Sequence, residues 1–95
     1  LLQVKKGTFQ VTPVISHVSG PFWKFPVSES FDGDTKYAWY VYREGEDQPF
    51  MKKLYEPDSH TIYKFETPGN YYVKAFVIHN GVKCSANSGV FTVSV

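Results

Sequence analysis

A chain of 95 residues, 42% hydrophobic and 20% charged, can bury one core and is too short for two independent ones. A formal net charge of +1 gives no electrostatic reason to expect nucleic acid, an anionic membrane or a polyanionic substrate as the main partner. The single cysteine, Cys84, excludes an internal disulfide, and no run nears the roughly 18 consecutive apolar residues of a membrane-spanning helix.

Eight Phe, seven Tyr and two Trp make an 18% aromatic share. Aromatic and β-branched side chains fit a pleated, half-buried surface, and the residues that favour helices are sparse. An all-β fold is expected. The opening Leu1 to Lys6 lacks the features of a signal peptide. With no initial methionine and no tail after Val93-Ser94-Val95, residues 1–95 read as one domain cut from a longer polypeptide.

In chain order, Thr8 to Val18 alternates imperfectly around Pro13 and is expected to form an edge strand or one that changes sheets at a kink. Ser19-Gly20-Pro21 is a turn, and Phe22 to Ser28 follows with Trp23, Phe25 and Val27 on its better buried face. Asp32-Gly33-Asp34 marks a tight bend. Lys36 to Arg43 reads as a central strand, with Tyr37, Trp39 and Val41 on one face and Ala38, Tyr40 and Tyr42 on the other. Glu44 to Pro57 reads as a polar loop holding one short edge strand anchored by Phe50, Met51, Leu54 and Tyr55.

His60 to Phe65 is a further strand, closed by the Thr67-Pro68-Gly69-Asn70 turn. The longest regular run is Tyr71 to His79, which alternates Tyr71, Val73, Ala75 and Val77 against Tyr72, Lys74, Phe76 and Ile78. Asn80-Gly81 gives the strongest hairpin signal in the chain. Val82 to Ala86 and Val90 to Val95 form a last strand interrupted at Asn87-Ser88-Gly89 by a bulge or irregular turn. The sum is an antiparallel two-sheet immunoglobulin-like β-sandwich of about seven strands. Its expected core is Trp23, Phe25, Tyr37, Trp39, Phe65, Tyr71, Val73, Ala75, Phe91 and Val93.

Over Phe25 to Val95 the residues resemble two bacterial immunoglobulin-like groups, the polycystic-kidney-disease (PKD) type repeat and the triple-tyrosine-motif domain. The resemblance rests on Tyr37-Ala38-Trp39, on Tyr63-x-Phe65-x-x-Pro68-Gly69-x-Tyr71-x-Val73-x-Ala75, and on the Asn80-Gly81 hairpin. It departs from the PKD pattern after Trp39, where Tyr40 to Arg43 extend the strand and the acidic residues wait until Glu44 to Asp47. The triple-tyrosine group fits the later half better. The resemblance implies a non-catalytic accessory module of a larger sensor, enzyme or surface protein, placed at a bacterial cell surface or in the periplasm, and it supplies no catalytic residue.

If Lys36 to Arg43 and Tyr71 to His79 are neighbours, Tyr40, Tyr42, Tyr72, Lys74 and Phe76 share one outward face together with Ile78. Such a patch suits a glycan or protein partner, or else packs against an adjacent domain of the parent protein, leaving this one a structural spacer. Glu29, Asp32 and Asp34 offer too few oxygens for calcium, His17, His60 and His79 lack zinc spacing, and no cofactor is expected. Neither Cys84 nor a serine carries the surroundings of an activated nucleophile, so no catalysis is expected of the domain alone. Lys5-Lys6 and Lys52-Lys53 read as solvated basic pairs rather than a nucleic-acid groove.

Overall fold

The structure is a computed structural model, which describes residues 9–94. It contains eight strands: β1 (Ser16–Ser19), β2 (Phe22–Pro26), β3 (Thr35–Arg43), β4 (Met51–Glu56), β5 (His60–Lys64), β6 (Gly69–His79), β7 (Val82–Asn87) and β8 (Phe91–Val93). No helix occurs among the described residues. One sheet has the order β1-β2-β5, the other β4-β3-β6-β7 with β8 also on β6, and every pairing is antiparallel. This is the expected two-sheet sandwich.

Alternation decides what enters the core. Tyr37, Trp39 and Val41 of β3, and Tyr71, Val73, Ala75 and Val77 of β6, turn inward against Phe25 of β2, with Phe65 and Val93 completing the cluster. The largest fully buried side chain is Trp39, one of the expected core residues. Trp23 and Phe91 are half-buried and pack on the cluster from its margin. The core also takes in Val11 from the irregular first segment.

Two turns fix the register. At Asn80-Gly81 both residues have positive φ, 49° and 83°, so β6 and β7 join through a two-residue turn whose twist matches the strands. His79 therefore faces Val82, and Ile78 faces Lys83. At the other end of β6, the Tyr71 hydroxyl donates to the Thr67 carbonyl and accepts from Arg43 Nη1 at 3.4 Å. This tyrosine corner ties the β5–β6 connection to the strand it enters.

β7 and β8 are the two halves of the expected last strand. Between them Ser88 N donates to the Val73 carbonyl at 2.7 Å, and Ser88 Oγ accepts from Val73 N at 2.9 Å. One serine thus holds the bulge that the sequence placed at Asn87-Ser88-Gly89.

The first segment differs from expectation. Instead of a strand over Thr8 to Val18, regular pairing is confined to β1, preceded by an isolated bridge between Pro13 and Val27. Pro13 is tolerated in that bridge because the bonds flanking it run from Val14 N to the Pro26 carbonyl at 2.8 Å and from Ser28 N to the Thr12 carbonyl at 2.9 Å, so the ladder asks for no N–H from the proline. Thr8, Lys5-Lys6 and Val95 lie outside the described residues.

Thr12 of that segment is tethered to Glu29, whose Oε1 accepts from Thr12 N at 2.7 Å and whose Oε2 accepts from Thr12 Oγ1. Burial pushes the Glu29 carboxyl upward, but the bonds from Thr12 outweigh it and hold the group below its usual value of 4.5. A depressed carboxylate stabilises the fold fully above its unfolded value and loses that contribution as pH falls through the folded one. Denaturant titrations should therefore show the wild type losing stability relative to Glu29→Gln on acidification below about pH 5. Parallel curves for the two proteins would show that the tether has no energetic role.

Candidate functional site

The pairing of β3 with β6 brings the five residues singled out in the sequence onto one surface. In register, Tyr42 faces Tyr72, Tyr40 faces Lys74, and Ala38 faces Phe76. Because Tyr37, Trp39, Val41, Val73, Ala75 and Val77 fill the core, the intervening positions necessarily form the outer face of the larger sheet. Ile78 continues that face beside Lys36 and Lys83.

The aromatic side chains engage one another across the strands. Tyr42 and Tyr72 stack with centroids 4.7 Å apart and planes within 2°, and Tyr40 meets Phe76 at 4.6 Å and 55°. The Tyr72 hydroxyl donates to the Glu46 carbonyl at 3.0 Å, which anchors the β3–β4 loop to one end of the face. Burial, followed by the neighbouring Tyr72 and Tyr40, pushes the Tyr42 hydroxyl above its usual pKa. All four rings are half-buried, so they are a cross-strand ladder as well as a surface.

Lysines lie on these rings. Lys52 Nζ sits 5.1 Å from the Tyr40 centroid, while Lys74 and Lys83 Nζ lie 5.2 and 5.6 Å from that of Phe76. Of these only Lys74 was singled out by the sequence. Lys83 was within reach, because a two-residue turn at Asn80-Gly81 puts it opposite Ile78 and diagonal to Phe76. Lys52, read as part of a solvated pair, is carried onto the face by the pairing of β4 with Tyr40, which no local signal announces.

The other candidates have structural duties. Glu29 is committed to Thr12, and among the described residues no three His, Cys, Asp or Glu side chains converge as a metal site. The His17 ring stacks on Trp23 at 4.6 Å with its Nε2 2.8 Å from the Gly20 carbonyl, and His79 Nδ1 bonds Thr35 Oγ1 at 2.8 Å. His60 opens β5 opposite Pro26. The half-buried Cys84 packs against the core from β7.

A second cluster closes one end of the sandwich. The Arg43 guanidinium lies 4.9 Å from the Phe50 centroid and 5.7 Å from that of Tyr71. Phe50 also meets Tyr63 at 6.2 Å. Burial, with Glu66 and Tyr71 adding to it and Arg43 opposing, pushes the Tyr63 hydroxyl upward.

No family model matches the chain, and none of the curated proteins matches it.

Proposed function

We propose that this domain is a non-catalytic accessory module that binds a partner through the outer face of its five-stranded sheet, using Tyr40, Tyr42, Tyr72, Lys74 and Phe76. Carrying the proposal is the gathering of four aromatic side chains on the face turned away from the core, where packing alone does not require them. The likeness of the Tyr37-to-Ala75 pattern to triple-tyrosine and PKD-type accessory domains agrees with it. The partner class is a glycan or a protein surface.

Solution spectra of the 15N-labelled domain titrated with a glycan panel test this. The expected result is saturable movement of the amides of β3 and β6 around Tyr40, Tyr42, Tyr72 and Phe76. Silence across the panel would favour a second reading, that of a spacer packed against a neighbouring domain. The opposite face of the sandwich supports that alternative, because Val18, Phe22 and Ile62 are 53%, 42% and 56% exposed there.

A further inference from the structure

From the placement of charge on the fold we infer that the outer face of β4, β3, β6 and β7 takes an anionic polysaccharide, carboxylated or sulfated, over a cationic frame formed by Lys36, Lys52, Lys74 and Lys83. This inference rests on the functional proposal and specifies its ligand.

A net charge of +1 conceals a strong segregation. Of the nine Asp and Glu residues only Glu56 lies in a strand, whereas Lys24, Lys36, Arg43, Lys52, Lys53, Lys64, Lys74 and Lys83 all do. Acidic side chains thus decorate the connections, and basic ones the sheets. Among the described residues the only ion pair is Lys53 with Glu56, at 3.2 Å, so none of the four frame lysines is neutralised by a carboxylate.

The sheet lattice sets their spacing. Lys52 and Lys74 flank Tyr40 in one cross-sheet row, and Lys36 and Lys83 flank Ile78 in another. Strands about 4.8 Å apart place the Cα atoms of each pair about 10 Å apart, and the rows are about 13 Å apart along β6. Phe76 lies midway, with Ser85 beside it on β7. Neutral groups share the surface: the Tyr40 and Tyr42 hydroxyls, Ser85 and Asn87 make no side-chain hydrogen bond among the described residues. Lysine positions in two cross-sheet rows, two of their ammonium groups converging on the Phe76 ring, with hydroxyl and amide groups between them, match a polymer that carries anions, hydroxyls and apolar ring faces.

An acidic peptide suits this face less well. Extended peptides gain affinity from main-chain hydrogen bonds at a free sheet edge, and β3 and β6 are paired on both sides, leaving no backbone partner at the centre of the frame.

The test uses the intact chain, probed by amide shifts and calorimetry. The probes are oligogalacturonate, a sulfated dextran oligomer, an uncharged dextran oligomer of equal length, and poly-glutamate. The expected result is saturable movement of the Lys74, Phe76, Lys83 and Ser85 amides with one or both anionic oligosaccharides, weakened by salt. Lys74→Gln/Lys83→Gln, with an otherwise unchanged amide spectrum, should bind about tenfold more weakly. Undiminished binding by that variant, anionic sugars mapping to another surface, or equal binding of poly-glutamate would each overturn the inference. Uncharged dextran moving the same amides as strongly would remove the charge requirement while leaving the binding face intact. No response to any probe would count against both the frame and the face.

Discussion

Replacing Trp39 with alanine is expected to cost about 3–5 kcal/mol of folding stability, the range for removing a large buried aromatic side chain. Domains of this kind hold only about 5–15 kcal/mol in total, so the variant should be close to unfolding at room temperature. The indole is 1% exposed, stacks beside Tyr37 at 6.2 Å, and is the largest side chain in the common core of the two sheets. Its Nε1 is buried without a hydrogen-bond partner among the described residues, a desolvation cost of about 1–3 kcal/mol that the packing must outweigh. Trp39→Phe removes that orphaned donor along with some volume and should lose about 1–2 kcal/mol, markedly less than alanine. Urea unfolding of the three proteins gives the comparison. A Trp39→Ala loss below about 1 kcal/mol would show that the sheets do not close over this residue.

Tyr71 carries the second large effect, and two substitutions separate its parts. Its ring is 1% exposed and packs on Phe65 at 4.5 Å and Phe50 at 5.6 Å, so Tyr71→Ala should cost about 3–5 kcal/mol. Tyr71→Phe keeps the ring and deletes only the bond to Thr67 and the contact with Arg43, for about 1–2 kcal/mol. Thr67 is exposed, and water can take over its carbonyl, which keeps the smaller figure near the ordinary value of one hydrogen bond. If Tyr71→Phe were as stable as wild type in urea, the hydroxyl would not be what anchors the corner.

What the sequence disclosed follows from how local each determinant is. β3 and β6 were legible because strict alternation marks both their length and their inward face, and Asn80-Gly81 fixed the partner of β7 within two residues. The aromatic outer face followed once β3 and β6 were placed side by side. The first segment was not legible because its apolar residues serve the core individually: Val11 is buried without belonging to any strand. Lys52 escaped notice because the register of β4 depends on pairing across a long loop, with a shift between Tyr37 and Trp39. The segregation of charge was equally hidden, since a total says nothing about which side chains stand on strands and which on turns.

The break held by Ser88 has a consequence for how copies of the domain meet. β7 forms one border of the larger sheet, and a long, flat border is a template on which another chain can add and aggregate. Dividing that border into a run of six residues and a run of three, offset by the bulge, leaves no continuous row of free amides and carbonyls. The seam that looks like an irregularity in the ladder thus shortens the template that this border offers to an incoming strand.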